Sequence, residues 1–299
     1  MRPLTVIGNP SSAGSYAAGQ EQAPQALRSA GLLDALTEAG REVVDAGDLP
    51  VQVWRPDRAR PLVQNLPEVV DNLTMLRARL VSILSADTDV LVVGGNCTGV
   101  LACCAALRDV TSEIPALLYF DRQLDCNTPE STTDGALDWM GMAHAFDLPG
   151  AVDALCEAVG PRPLLTPDHV AFLGVALDLA TEWEREQVVE RALYVVPSAS
   201  LEQSAIPVVQ KALAYLPTAP LVVHVDVDVL DFTDAPLAEN TDGRNTGPTL
   251  AALQAALEVV QRQRHPRILS VGELNPTRSA GEPAALRRFA SALAAVLAA

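Results

Sequence analysis

Eight short apolar runs, most of them separated by stretches with helical spacing, constrain this chain more than any other feature. They are "LTVIG" (4–8), "EVVDAG" (42–47), "DVLVVGG" (89–95), "ALLYFD" (116–121), "HVAFLGVAL" (169–177), "ALYVVPS" (192–198), "PLVVHVDVD" (220–228) and "RILSVGELN" (267–275). Between them lie helix-like stretches such as "LPEVVDNLTMLRARLVSILSA" and "TLAALQAALEVVQRQ". Strand alternating with helix predicts a mainly parallel sheet of about eight strands, covered by helices on both faces. The expectation is a three-layer α/β/α fold in a single domain over residues 1–299. No Ser/Gly linker, low-complexity segment or repeat divides the chain.

The composition supports a large core, with 49% hydrophobic residues and few aromatics. A net charge of -16 argues against nucleic acid and anionic membrane as partners. Nothing approaches 18 continuous apolar residues, so no transmembrane helix is expected. The start, "MRPLTVIGNPSSAG", lacks the apolar stretch and cleavage site of a signal peptide. Five cysteines without disulfide-scaffold or zinc-finger spacing suit a reduced, cytoplasmic protein.

In open α/β sheets, ligands bind in the crevice at the carboxyl ends of the strands. Four runs end there in polar groups: Asn96–Cys97, Asp121, Asp226 with Asp228, and Glu273. Alternation along a strand would aim Asp226 and Asp228 at one spot, with His224 behind them. Asp121, Asp125, Asp226 and Asp228 together would crowd four carboxylates, which repel and must partly protonate unless a divalent cation joins them. Taken singly, each Asp also suits a turn or a helix cap.

Four ordered motifs carry a resemblance to the ureohydrolases: arginase, agmatinase, formimidoylglutamase and their relatives. "VVGGNCTG" sits where that family has Gly-Gly-Asp-His-Ser. "DRQLDCNTPESTTDG" resembles Asp-Ala-His-x-Asp-x-Asn-Thr-Pro. "HVDVDVLDFTDAP" resembles Ser-x-Asp-x-Asp-x-x-Asp-Pro, and "VGELNPTRS" resembles Val-Glu-x-Asn-Pro. The resemblance runs over nearly the whole chain. It implies two manganese ions whose bridging hydroxide attacks a guanidinium or imino carbon, and a trimer or hexamer.

Carried over by position, the resemblance places Asp121, Asp125, Asp226 and Asp228 among the metal ligands and Glu273 opposite the substrate guanidinium. It places Asn127 at the substrate's amino-acid end. Asp134 stands where a serine contacts the substrate carboxylate, and Asp138 where a histidine shuttles protons. Asp125, Glu273 and Asp138 form the expected catalytic group. The two histidine ligands are replaced, by Cys97 and Gln123. One metal site would then use Cys97, Asp121, Asp125 and Asp226, and the other Asp121, Gln123, Asp226 and Asp228. A thiolate favours zinc or ferrous iron over manganese, and a glutamine carbonyl is a weak ligand.

Two functional readings follow. One is a metal-dependent hydrolase of C–N bonds in a guanidino, amidino or formimino compound, acting on linear amidines, with one or two divalent ions per chain. A carboxylate at Asp134 would repel a free α-carboxylate, so free L-arginine is expected to be a poor substrate. The other is a catalytically silent relative without metal, kept for assembly or regulation, with Arg122 or Arg244 neutralising the aspartates. Two readings of Cys97 also stand beside its role as a ligand: a nucleophile served by His224, and a small core thiol. For His224 they are a hydrogen bond to a metal-bound carboxylate and a core histidine with satisfied partners. Trp139 is expected either at the mouth of the cleft or in the packing.

Overall fold

The computed structural model describes residues 2–241 and 245–299. All eight apolar runs form strands: β1 (Leu4–Gly8), β2 (Val43–Asp48), β3 (Asp89–Val93), β4 (Ala116–Phe120), β5 (Val170–Val175), β6 (Tyr194–Pro197), β7 (Leu221–Asp226) and β8 (Ile268–Gly272). They make one sheet in the order β2-β1-β3-β8-β7-β4-β5-β6. Every neighbouring pair is parallel.

Alternate residues of the inner strands feed two separate cores, as a sheet covered on both faces requires. Val6, Leu91, Leu118 and Val223 pack on one face, with the helices Ala23–Ser29, Leu32–Glu38, Ser198–Tyr215, Leu250–Arg264 and Ala284–Ala298. Ile7, Val92, Leu117 and Val222 pack on the other, with the helices Leu66–Leu84, Gly99–Thr111 and Asp153–Val159. The stretch "APQALRSAGLLDALTEAG" forms two helices, Ala23–Ser29 and Leu32–Glu38. Gly31 breaks it at φ +89°, a left-handed backbone that glycine adopts without steric cost.

The crossover from β3 to β4 skips the two strands between them, which β7 and β8 later fill. The chain reverses direction across the sheet when it returns from β6 to β7 and β8, which opens a crevice at the carboxyl ends of β3, β8, β7 and β4, the four neighbours at the centre of the sheet. No helix among the described residues is long and apolar enough to cross a membrane.

Candidate metal centre and cleft

Each of the four central strands delivers one polar residue to the crevice just as its ladder ends. Cys97 follows β3 and precedes the helix Gly99–Thr111; Glu273 follows β8; Asp226 closes β7; Asp121 follows β4. Cys97 Sγ lies 3.1 Å from Asp226 Oδ2 and 3.6 Å from Asp121 Oδ2. It is also 3.3 Å from His224 Nε2. The sulfur therefore sits at a boundary, part of the buried apolar layer and in contact with two carboxylates. Cys103, Cys104 and Cys156 are buried in the helical layer.

Asp226 and Asp228 converge for a different reason from the one strand alternation suggests. The strand stops at Asp226, and Val227–Val229 turn as a short 3-10 helix. Asp226 caps that turn, its Oδ1 accepting the Asp228 backbone N–H at 2.7 Å. Asp121 holds its own loop likewise, Oδ1 accepting the Gln123 N–H at 2.6 Å. Asp125 sits at φ +52° and Glu273 at φ +63°, both in the left-handed region that residues with a side chain rarely occupy. Asp125 is fixed there by the Tyr119 hydroxyl on its Oδ2 and by the Met142 N–H on its carbonyl, 2.8 Å away.

The Gln123 carboxamide faces Asp121 and Asp228. With its nitrogen inward it donates to Asp121 Oδ1 at 2.9 Å and to Asp228 Oδ2 at 2.8 Å, while its oxygen accepts from Asn240 at 2.8 Å. With its oxygen inward it adds one more acceptor to a ring of acceptors, an arrangement that only a cation would favour.

Cys97, Gln123, Asp125, Asp226 and Asp228 line the floor of a cleft of about 480 Å³, and Asp121 is fully buried beside them. Glu273 lies on one wall. Its Oε1 accepts the Cys97 backbone N–H at 3.0 Å, and its Oε2 accepts the Gln20 side chain. Asp138 and Trp139 line the cleft, and Asp134 stands exposed at its rim. Asn127 is fully buried behind the wall, its Oδ1 accepting from Ser131 at 2.9 Å and from Thr181 at 2.8 Å. The cleft also uses Tyr16, Glu184, Glu239 and Arg278, which the motifs do not single out. Glu184 was legible only as a helix cap in "TEWE": its carboxylate takes the Thr181 N–H at 3.1 Å and also the Cys126 N–H at 3.2 Å.

Burial dominates the electrostatics. It drives Asp121, Asp125, Asp226 and Glu273 well above the usual carboxylate range, and their mutual repulsion adds to it. The Cys97 thiol is pushed up first by burial, then by Asp226 and Asp121. Burial lifts Asp138 to about 7 and lowers His224 to about 3, so His224 is neutral. Arg122 donates to the carbonyls of Asp228 (2.8 Å), Leu230 (3.2 Å) and Thr246 (3.0 Å). Its charge favours ionised Asp228, yet Asp228 still lies above its ordinary range because burial outweighs it. Arg244 lies outside the described residues.

The donor set fits a divalent cation. Cys97, Asp121 and Asp125 each offer an atom within 4.8 Å of the others. So do Asp121, Asp226 and Asp228, and so do Cys97, Asp226 and Glu273. That span is about twice a metal–ligand bond of 2.3–2.4 Å, the distance across one coordinated ion.

The Arginase family profile matches residues 2–298. The chain belongs to the arginase family. Over 242 residues it is 26% identical to the arginase of Bacillus caldovelox, 79% of each chain being covered. The solved structure of that arginase superposes with a TM-score of 0.88 at 21% identity, covering 99% of this chain and 98% of the other. Formimidoylglutamase from Bacillus subtilis superposes with a TM-score of 0.78 at 18% identity, covering 99% and 86%. The structural likenesses establish the arginase-like fold. They leave this member's cleft, with Cys97 and Gln123 in it, to be read from its own residues.

Proposed function

We propose that this arginase-family protein is a divalent-metal-dependent hydrolase that cleaves a C–N bond in a cationic guanidino or amidino compound other than free arginine. The observation that carries the reading is the set of overlapping donor triples built from Cys97, Asp121, Asp125, Asp226 and Asp228 on the floor of a cleft walled by Glu273. Cys97, Asp121 and Asp125, with Asp226 3.1 Å from the sulfur, would hold a cation at one end. Asp121, Asp226 and Asp228, with the Gln123 carbonyl, would hold one at the other.

A cation bound there would supply Lewis acidity and lower the pKa of water. The chain's own groups account for the rest. Glu273 presents a carboxylate to a planar cation, a pairing suited to two parallel N–H donors. Gln20 and the Cys97 N–H orient it, so little reorganisation is needed when substrate arrives. Asp138, buried and lifted to about 7, is poised to exchange a proton near neutral pH.

Among the described residues, eight carboxylates and one arginine line the cleft, and the arginine, Arg278, is paired with Glu239 at 3.1 Å. Binding of a cation ionises these groups, and an acidic lining of this kind favours a cationic substrate over one that carries a carboxylate. Asp134 at the rim adds to that preference. The silent-relative reading needs Arg122 or Arg244 to neutralise the cluster; the Arg122 guanidinium is already engaged with main-chain carbonyls, and Arg244 lies outside the described residues.

The assay incubates metal-loaded protein with arginine, agmatine, guanidinobutyrate and formiminoglutamate and measures urea or formamide. Turnover of an amine or a small guanidine ahead of arginine is expected. Arginine turning over fastest would overturn the substrate argument, and no turnover of any guanidino compound with metal bound would favour the silent relative. A homo-oligomer, in the cytoplasm, completes the reading by resemblance to the family.

A further inference from the structure

Cys97 and His224 are 127 positions apart in sequence, and the sheet brings them together through one intervening strand. In the β7–β8 ladder His224 stands directly beside Ser270, and its Nδ1 lies 2.7 Å from Ser270 Oγ. Its Nε2 lies 3.3 Å from Cys97 Sγ. On the other side, in the β4–β7 ladder, Tyr119 stacks on the imidazole with ring centroids 4.9 Å apart. Gly272 makes room for the ring: a Cβ there would stand 3.1 Å from His224 Cε1. Cys97, His224 and Tyr119 are each at most 2% exposed, and Ser270 is 4% exposed.

One set of protons satisfies every pair in this row. A neutral imidazole has one N–H. In the Nε2–H tautomer the Ser270 hydroxyl would donate to Nδ1, Nε2–H to Cys97 Sγ, and the thiol to Asp226 Oδ2, its nearer neighbour at 3.1 Å. The hydrogen bonds then run head to tail toward the carboxylates. A histidine with only a packing role would gain little from sulfur, a weak acceptor. A sulfur that carries negative charge is a far better acceptor, and the helix Gly99–Thr111 opens just after Cys97 with its positive end toward the site.

We propose that His224, oriented by Ser270, is a positioning residue that donates its Nε2–H to the Cys97 sulfur and holds it as a thiolate ligand, making this end of the site select a thiophilic divalent ion over manganese. The inference rests on the reading that the carboxylate cluster binds a divalent cation. On binding, the S–H bond gives way to a metal–sulfur bond and the thiol proton leaves to solvent. Hydrogen bonding from a neighbouring group fixes a ligand's orientation, and its loss typically weakens metal affinity about 10–100-fold.

The test strips the purified full-length protein with chelator and titrates it with cobalt(II) and, separately, manganese(II). Absorbance and bound metal per chain are both followed. Cobalt is expected to bind more tightly than manganese and to produce a sulfur-to-cobalt charge-transfer band that Cys97→Ser abolishes. His224→Phe should shift the band and weaken cobalt about 10–100-fold, and His224→Gln, which keeps an N–H donor, should recover part of both. Should His224→Phe fail to fold, Ser270→Ala should still shift the band and weaken cobalt. Cobalt bound without a charge-transfer band, or an unchanged band and affinity in the folded His224→Phe or Ser270→Ala protein, would overturn the inference while leaving the hydrolase reading standing. Failure of the wild-type protein to bind either metal would overturn both.

Discussion

Glu273 accepts the backbone N–H of Cys97 across 3.0 Å, so Cys97 serves the cleft in two ways. The Cys97 backbone orients the carboxylate assigned to the substrate, while its side chain stands among the metal donors. The second oxygen of Glu273 is held by Gln20, whose amide also donates to Ser15 at 3.1 Å. Glu273→Gln should therefore lower kcat/KM for a guanidinium substrate by about 2–4 kcal/mol, some 30- to 1,000-fold. Gln20→Ala should cost about 1.5–3 kcal/mol, the usual worth of a hydrogen bond to a charged group. Steady-state kinetics on both variants check this, and full activity of Gln20→Ala would remove the orienting role.

Asp138 should give the enzyme a pH dependence of its own. Its native pKa of about 7 lies above the ordinary carboxylate value because the side chain is buried. If it works as a proton acceptor, kcat/KM rises through neutral pH, and Asp138→Asn removes that limb. The same shift has a stability consequence. The native state keeps the proton to higher pH than the unfolded chain does. Stability from this group is therefore present in acid and is lost as pH rises through about 7. Relative to wild type, Asp138→Asn should gain on the order of 1–2 kcal/mol between pH 5.5 and 8.5. Thermal unfolding at the two pH values measures it.

Much of this was legible in the sequence. The eight Val- and Leu-rich runs became the eight strands, because buried parallel strands are written in that composition. The polar residues at four run ends met because those strands are neighbours in the sheet. The convergence of Asp226 and Asp228 was foreseen for the wrong reason: alternation fails once the chain turns at Val227. Gln20 was not foreseen, since its short 3-10 turn carries no signature and its partner lies 253 positions away. Asn127 was expected beside the substrate, but the structure has its oxygen bonded to Ser131 and Thr181 behind the cleft wall. His224 was paired with Cys97 only as a base beside a nucleophile, because sequence spacing says nothing about which loop a neighbouring strand delivers or in what geometry.

Restoring imidazole at both substituted positions tests whether Cys97 and Gln123 set the metal preference. Cys97→His with Gln123→His should raise manganese affinity by at least about tenfold, since imidazole outcompetes a neutral amide and tolerates manganese better than a thiolate does. Calorimetric titration reads it out. Unchanged affinity would mean that the loops at Cys97 and Gln123 do not place a side chain at the ion.

Asp226 is common to two of the three donor triples and reaches Cys97, so the central claim turns on it. The most direct measurement is elemental analysis of wild-type and Asp226→Ala protein, both purified without chelator and supplemented with divalent metal. The account predicts at least one tightly held divalent ion per wild-type chain and none in Asp226→Ala. A wild-type protein that emerges free of metal, or an Asp226→Ala protein that retains it in full, would contradict the account.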